Sequence, residues 1–264
     1  MTDRGKIRVV VGGWTYEPWR GTFYPVDLPQ KRELEHASRQ LTSIEINGTY
    51  YHSQKPESFQ KWHDATPEDF VFSLKAPRYA TNRRVLAEAG ASIERFVKGG
   101  ILLLRDKLGP INWQFMATKK FEPADFEAFL KLLPASHEGR PLRHVVEVRH
   151  ESFRTPEFIE MLGAHGVAAV VSIDGEFTQI ADPTAPFIYA RLFGTREDEL
   201  LGYGEAALDS WAERLRLWAN GELPQGLDYV RSTAPSAPRD VFAYVIAGHK
   251  VRNPQAARAL IERL

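Results

Sequence analysis

The sequence of 264 residues contains no cysteine. This absence excludes a disulfide framework, a thiolate nucleophile, and zinc or iron–sulfur sites with cysteine ligands. No apolar run approaches the 18 residues of a membrane-spanning helix, and the first stretch, MTDRGKIRVVVGGW, is too short in apolar residues for a signal peptide. We therefore expect a cytoplasmic protein with no membrane partner.

The sequence also lacks a charge imbalance, because 34 basic side chains balance 34 acidic ones. Nucleic acid is not predicted as a partner on this ground, although the totals are compatible with a local basic groove. Two short basic clusters, 82–84 and 118–120, lie in predicted loops. A phosphate loop of the G-x-x-x-x-G-K-[ST] type and a G-x-S-x-G nucleophile elbow are both missing, which disfavours P-loop and serine-hydrolase chemistry.

Eight short segments rich in β-branched and aromatic residues alternate with segments of helical periodicity. Such alternation indicates parallel strands joined by helices, and eight strands predict a (β/α)8 TIM barrel of the α/β class. An open doubly wound sheet is the alternative, but no G-x-G-x-x-G follows the first strand. We predict a single domain over 1–264, with a core from about residue 7. The strand candidates are 7–13, 43–47, 70–76, 111–115, 144–150, 168–174, 187–194 and 240–248.

Several helix boundaries carry recognisable signals. Thr155 is predicted to cap the start of one helix and Gly166 to end it, while Asn253 is predicted to cap the last helix. The apolar spacing from Ile93 to Leu108 predicts one continuous helix.

The fifth strand candidate, HVVEVRH, places two charges within a valine-rich segment. Residues two apart share a strand face, so Val145, Glu147 and Arg149 are predicted to face the barrel interior, and Val146 and Val148 the helices. Other strands also become polar on one face near their ends. Because active sites of TIM barrels lie at these ends, we predict one charged pocket at the C-terminal mouth. Its predicted members are Glu45, Asn47, Lys75, Gln114, Glu147, Arg149, Asp174 and Arg191.

The acidic and the basic side chains of this pocket have different predicted roles. Glu147 is the candidate general acid or base, with Glu45 or Asp174 as its catalytic partner. The cationic side chains are predicted to bind a phosphate or carboxylate. The predicted substrate-binding residues are Arg149, Arg191, Lys75, Asn47, Gln114, Trp14, Tyr16, Tyr50 and His150. The alternative is a structural network of ion pairs inside the barrel, with the rings packing as ordinary loop aromatics.

A metal ion is another ligand that this mouth could hold. Glu45, Glu147, His150, Asp174 and His249 are ligand types, but an H-E-x-x-H motif, a calcium loop and a close histidine pair are all missing. The three cations would also compete for the carboxylates. We therefore predict no metal and no cofactor.

Several motifs together resemble one family. They are GGWTYEPWRGTFYP (12–25), SIEINGTYYHSQKPESFQKW (43–62), TPEDFVFSLKAPRYAT (66–81), DKLGPINWQF (106–115), VVEVRHESF (145–153) and IYARLFG (188–194). As a set they identify the chain as similar to the DUF72 family, also called YecE-like, from about Val9 to the C-terminus. The resemblance implies a TIM barrel and implies no particular activity.

The chain departs from the family pattern in two places. Members often end the last strand with a polar segment similar to FNN, where this chain has Ala247, Gly248 and His249. Many members have His-Gly after the arginine of the seventh strand, where this chain has Phe193 and Gly194. We do not carry the roles of the missing groups over to this sequence.

The functional prediction is an enzyme, of hydrolase, lyase or isomerase type, that acts on a small anionic or polyhydroxylated substrate by carboxylate acid/base chemistry. A non-catalytic protein that binds or senses a small ligand is one alternative. A nucleic-acid-processing protein, with or without a metal, is the other.

Overall fold

The computed structural model of the protein describes residues 4–231, 233 and 235–264; positions 1–3, 232 and 234 lie outside the described residues. Eight parallel strands pair in chain order and close into a barrel, with the last strand hydrogen-bonded to the first. The predicted (β/α)8 barrel is confirmed. The strands are β1 (Ile7–Gly12), β2 (Ser43–Ile46), β3 (Val71–Lys75), β4 (Leu108–Gln114), β5 (His144–Glu147), β6 (Ala168–Ile173), β7 (Phe187–Leu192) and β8 (Asp240–Val245).

Helices connect the strands and cover the outside of the barrel. The α-helices are α1 (Glu33–Gln40), α2 (Gly48–Tyr51), α3 (Pro56–Asp64), α4 (Arg78–Thr81), α5 (Gly90–Val97), α6 (Pro123–Leu132), α7 (Pro156–His165), α8 (Glu205–Ala219) and α9 (Asn253–Glu262). Short 3₁₀ helices and a two-residue hairpin (Ser136–His137 with Arg140–Pro141) complete the connections. Within the described part of the chain, every helix is too short or too polar to cross a bilayer.

Two predicted caps have different outcomes. The Thr155 hydroxyl accepts a hydrogen bond from the first turn of α7, and Gly166 ends that helix in the left-handed conformation, as predicted. The predicted cap at Asn253 is wrong, because Asn253 is already the first residue of α9. Its side chain accepts from the Thr195 hydroxyl at 2.7 Å and donates to the Ala247 carbonyl at 3.1 Å. Asn253 therefore ties α9 to the segments that follow β7 and β8.

The predicted continuous helix from Ile93 to Leu108 is also wrong. Helix α5 ends at Val97, a 3₁₀ helix spans Ile101–Lys107, and Leu108 already belongs to β4. Gly100 separates the two helices with φ of +102°, which glycine adopts without steric cost. An apolar spacing of three residues fits the 3₁₀ helix as well as the α-helix, so the pattern could not distinguish them.

The two faces of the strands form two separate apolar clusters. Val145 belongs to the cluster inside the barrel, whereas Val146 and Val148 belong to the cluster between strands and helices. The predicted facing of β5 is therefore confirmed. The interior cluster consists of Val10, Val71, Val145, Ala168, Val170, Phe187, Tyr189, Phe242 and Tyr244. Most of these residues come before the last two residues of their strands. The C-terminal mouth is therefore lined by polar side chains.

His144, at the start of β5, is a buried histidine held in the neutral form. Its Nδ1 accepts from the Trp113 indole at 3.1 Å, and its Nε2 donates to the Pro134 carbonyl at 2.8 Å. Burial lowers the pKa of His144 from 6.5 to about 4, against the opposing effect of the hydrogen bond to Pro134. Protonation of Nδ1 would also point its new N–H at the N–H of the Trp113 indole, so the hydrogen bond between them would be lost.

We expect His144 to make folding sensitive to mild acid. The folded pKa lies below the unfolded one, so the unfolded state binds more protons between pH 6.5 and 4, and stability falls as the pH falls through this window. The full effect is about 3 kcal/mol. Urea unfolding at pH 7 and pH 4 should show this loss, and His144→Asn should flatten it. His165→Asn, at the half-buried end of α7, should leave the pH slope as in the wild type.

Candidate functional site

The mouth of the barrel contains a buried cluster of charges centred on Glu147. Glu147 ends β5, directly beside Gln114 of β4, and its carboxylate is fully buried. One oxygen, Oε1, accepts from Nε and Nη2 of Arg149 at 3.0 and 2.5 Å. The other, Oε2, accepts from Nδ2 of Asn112 at 3.0 Å and from Nη1 of Arg191. The carboxylate therefore holds two guanidinium groups in fixed positions.

Arg191 joins this carboxylate to a second one. Its Nη2 donates to Oε1 of Glu45 at 3.2 Å, and only 3% of its side chain is exposed. The other oxygen of Glu45 accepts from the Tyr189 hydroxyl. The Tyr189 ring stacks on Tyr244 with centroids 4.1 Å apart. Tyr189 and Tyr244 were not predicted as site residues, although the alternation in FIYARL places Tyr189 on the same face as Arg191.

The charges of the cluster fix its protonation. Burial opposes ionisation of Glu147, but the charges of Arg191, Arg149 and Lys75 outweigh it and lower the pKa from 4.5 to about 2. Burial disfavours the charged form of Arg191 as well, but Glu147 and Glu45 outweigh that cost and raise its pKa. Both members of the central ion pair therefore stay charged at neutral pH.

Lys75 is the third cation of the mouth and has a different environment. It ends β3, its side chain is half-buried, and its Nζ lies 5.0 Å from the centroid of the Tyr50 ring. Among the described residues, no carboxylate lies within salt-bridge distance of its ammonium group. Burial lowers the pKa of Lys75, and Arg191 contributes to that effect, while Glu45 and Glu147 oppose it. Lys75 and Tyr50 thus lie together at one side of the mouth.

A cleft of about 630 Å³ opens beside Arg149. Its lining includes Ser172, Asp174 and the Phe177 ring, whose centroid lies 4.2 Å from the Arg149 guanidinium carbon. Asp174 has a left-handed backbone (φ +57°), and partial desolvation raises the pKa of its carboxyl, against the charge of Arg214. Asp174 therefore shares the cleft with Arg149, yet it stands outside the buried cluster of Glu45 and Glu147.

Other predicted binding residues have structural contacts instead. Trp14 packs edge-on against Trp62 and Phe72, within the cluster on the helix side of the strands. Tyr16 packs edge-on against Trp19, and its other neighbour is Lys250, with Nζ 4.0 Å from the ring centroid. Both rings pack against the apolar cluster between strands and helices. The predicted role of Trp14 and Tyr16 as walls of the mouth has no support in these contacts.

Three further predicted residues lie at the rim or just below it. Nδ1 of His150 contacts the hydroxyl and the amide of Ser152 at 2.9 and 3.1 Å, which caps a short 3₁₀ helix. Asn47 precedes α2 and lies next to Gly12 at the end of β1. Gln114 is buried, and its Oε1 has no hydrogen-bond partner among the described residues.

Metal ligation has no geometric basis in the described ranges. No three histidine, aspartate or glutamate side chains among residues 4–231, 233 and 235–264 lie together as a metal ion requires. Glu45 and Glu147, the two buried carboxylates of the mouth, instead accept hydrogen bonds from Arg191.

Comparison of the sequence with known proteins finds one matching family and a curated relative. The family described as "Protein of unknown function DUF72" matches residues 8–264. The UPF0759 protein YecE of Escherichia coli K12 is 30% identical over 123 residues, which are 46% of this chain and 42% of YecE. The aligned region thus spans less than half the length of this curated relative.

Solved structures show the same fold. A DUF72 family protein from Thermotoga maritima superposes with a TM-score of 0.69 at 22% identity, covering 97% of both chains. A DUF72 family protein from Enterococcus faecalis superposes with a TM-score of 0.66 at 15% identity, covering 98% of both. At these identities the likeness concerns the fold alone. Because the family match spans nearly the whole sequence, the chain belongs to the DUF72 family.

Proposed function

We propose that this chain is an enzyme that acts on a small anionic, polyhydroxylated substrate bound at the barrel mouth. The observation that carries the proposal is a charge imbalance within the buried cluster; the open cleft beside it is lined by Glu151, Asp174, Glu176 and Asp228 as well as by Arg149 and Arg154. Three cations, Lys75, Arg149 and Arg191, surround two buried carboxylates, Glu45 and Glu147. An uncompensated positive charge in a partly buried site costs several kcal/mol, and a bound anion offsets this cost.

The distribution of contacts indicates which cations face a ligand. Arg191 is committed to both carboxylates and is almost fully buried. Arg149 uses only Nε and Nη2 for Glu147, and 20% of its side chain is exposed toward the cleft. Lys75 is the remaining cation. We infer that Arg149 binds the anionic group, with Lys75 at the same mouth, while Glu147 and Arg191 hold the site in position.

Buried polar atoms without protein partners support a polyhydroxylated ligand. Within the described residues these atoms include Oδ1 of Asn112, Oε1 of Gln114, Oγ of Ser172 and Nε of Arg191. In the strand pairing Gln114 lies beside Glu147 and Ser172 beside Arg191, so these atoms belong to one layer of the mouth. Buried polar groups in native proteins are nearly always hydrogen-bonded, so these atoms, which solvent does not reach in this structure, would pair with substrate hydroxyl groups once the side chains above them move aside.

The proton-transfer role fits Asp174 better than Glu147. A general acid or base works best when its pKa lies near the operating pH, and the pKa of Glu147 is about 2. The pKa of Asp174 is raised, and its carboxyl lies in the cleft beside Arg149. The acid/base assignment of Glu147 stays a prediction, and we propose Asp174 as the proton-transferring group.

The anion site is tested by thermal unfolding with inorganic phosphate, sulfate, sugar phosphates and sugar acids at low ionic strength. A ligand at a hundred times its dissociation constant adds about 2.7 kcal/mol of stability. For a chain of this size that raises the midpoint by about 5–10 °C. We expect at least one anion to give such a shift and Arg149→Met to remove most of it, relative to the variant's own unliganded midpoint.

Arg140→Met is the matched control, because Arg140 pairs with Asp106 at 2.9 Å and precedes β5, at the opposite end of the barrel. This variant should keep the full shift. Failure of every anion to stabilise the wild type would contradict the proposal. A stabilising ligand recovered chemically unchanged after long incubation would instead show a binding or sensor protein, with the anion site intact.

A further inference from the structure

Lys75 differs from the other buried lysine of this protein in what surrounds its amine. Lys107 donates from Nζ to the carbonyls of His63 and Thr66 at 2.5 and 2.7 Å and to the Thr66 hydroxyl at 3.1 Å. Such a lysine serves as a structural tie. In the described part of the chain, Nζ of Lys75 makes neither a hydrogen bond nor an ion pair. A half-buried amine without a protein partner is available for a ligand.

The backbone around Lys75 is held firmly, so the amine has a defined position. The Lys75 carbonyl accepts from the Thr49 hydroxyl at 2.6 Å, and the next amide, of Ala76, donates to the Asn112 carbonyl at 2.8 Å. The Tyr50 ring flanks the ammonium group at 5.0 Å. A reactive group on a rigid strand end is placed more accurately than one on a loop.

The charges that face Lys75 come from the ends of three other strands, β2, β5 and β7. Arg191 and Arg149 disfavour its protonated form, and Glu45 and Glu147 favour it. Burial adds to the effect of the arginines, and the pKa falls below its ordinary value. A desolvated lysine beside other cations is the environment in which a lysine amine becomes a nucleophile, because more of it is neutral.

We propose that Lys75 is a nucleophilic catalytic residue that forms an imine with a carbonyl group on the anionic substrate. This inference rests on the proposed anion site, because Arg149 would hold the substrate's carboxylate or phosphate beside the amine. The neutral amine adds its lone pair to the carbonyl carbon, and one proton moves from its nitrogen to the carbonyl oxygen to give a carbinolamine. The proton that the ammonium group released on becoming neutral then protonates the hydroxyl, which leaves as water. A protonated imine remains, so the step is balanced and consumes no oxidant or reductant. The substrate class is therefore a keto or aldehyde acid, or a carbonyl-bearing sugar phosphate.

Reductive trapping tests the inference. The full chain is incubated with glyoxylate and sodium cyanoborohydride, and the labelled lysines are located by peptide mass spectrometry. Reduction of the imine leaves a secondary amine that carries the glyoxylate mass less one oxygen atom. We expect Lys75 to be labelled about tenfold faster or more than Lys61, an exposed lysine of α3, because of its position and environment. Propanal, which lacks the carboxylate, should favour Lys75 over Lys61 less than glyoxylate does, because only the lowered pKa of Lys75 then distinguishes the two amines.

Two variants show whether a loss of labelling comes from the missing amine or the missing anion site, and not from a failure to fold. Lys75→Arg retains a cation but no nucleophilic amine, so it should keep the anion-induced shift of the unfolding midpoint while the fast labelling disappears. Arg149→Met should retain Lys75 but lose the preference for glyoxylate over propanal. Labelling of Lys75 no faster than Lys61 would overturn the inference. If phosphate or sulfate still stabilised the protein in that case, the proposed anion site would stand; loss of both results would end both proposals.

Discussion

Replacement of Arg191 with methionine should lower the free energy of unfolding by about 3–5 kcal/mol at pH 7. Among the described residues, Arg191 is the only side chain that contacts both Glu45 and Glu147, the two buried carboxylates of the mouth. Neither carboxylate is exposed, so water cannot replace the lost guanidinium. The free energy is measured by urea unfolding, and an unchanged value would show that this network contributes nothing to stability.

The same variant should change the response to strong acid. In the wild type the folded pKa of Glu147, about 2, lies below the ordinary value of 4.5 for a glutamate. The group's contribution is therefore fully present above pH 4.5 and is lost as the pH falls toward 2, by about 3 kcal/mol in total. Without Arg191 the folded pKa of Glu147 should rise, so the stability difference between wild type and variant should shrink over this window.

Two controls separate the buried network from general effects of charge removal. Arg140→Met breaks an ion pair in which Asp106 is 94% exposed, so its cost should stay below about 1 kcal/mol. Adding Glu45→Gln and Glu147→Gln to Arg191→Met removes the unpaired charges and should recover part of the lost stability. Since His144 titrates at higher pH and is common to all variants, its contribution cancels in each difference.

Replacement of Gly248 with alanine should destabilise the fold by about 2–5 kcal/mol, through two separate causes. Gly248 has φ of +53°, which costs a residue with a Cβ atom about 1–2 kcal/mol. An added Cβ would also lie 2.4 Å from the Thr195 hydroxyl and 2.7 Å from the carbonyls of Phe193 and Thr195. Because two of these contacts are backbone atoms, relief requires the chain after β7 to move, at about 1–3 kcal/mol.

Gly13→Ala is the matched control for this prediction. Gly13 also follows a barrel strand and has φ of +73°, but a Cβ there would meet no atom within 4 Å. Its cost should be about 1–2 kcal/mol, from the backbone conformation alone. The difference in unfolding free energy between the two variants, measured with urea, gives the cost of the steric clash. Equal values would show that the segment after β7 moves aside at no cost in free energy. The glycine in the altered last-strand segment is thus explained by a close crossing of two chain segments.

Local patterns determined most of the architecture. The alternation in HVVEVRH predicts that Val145 and Glu147 face the interior, and the structure confirms it, because side-chain direction in a strand follows from sequence position alone. The continuous helix predicted from Ile93 failed for an equally local reason. Gly100 adopts a left-handed conformation, and apolar spacing by itself does not report backbone angles.

The sequence indicated which charged residues lie at the mouth, but it did not indicate which of them contact each other. Glu45, Lys75, Glu147, Arg149 and Arg191 were all predicted for one mouth, and the structure brings their side chains together. Trp14 and Tyr16 were predicted for the same mouth, and this stays a prediction, because their observed contacts are with the apolar cluster between strands and helices. Loop aromatics carry no periodicity from which their direction could be read.

The sequence by itself determined eight strands, their inward faces and the set of charges at their ends. Only the tertiary structure decided which charges pair. Arg191 contacts Glu45 across 146 positions and Glu147 across 44, and closure of the barrel alone sets these distances. The same closure leaves Lys75 without a described carboxylate partner. Pairing depends on separations of a few ångströms between distant segments, because charge-assisted hydrogen bonds act only at such range.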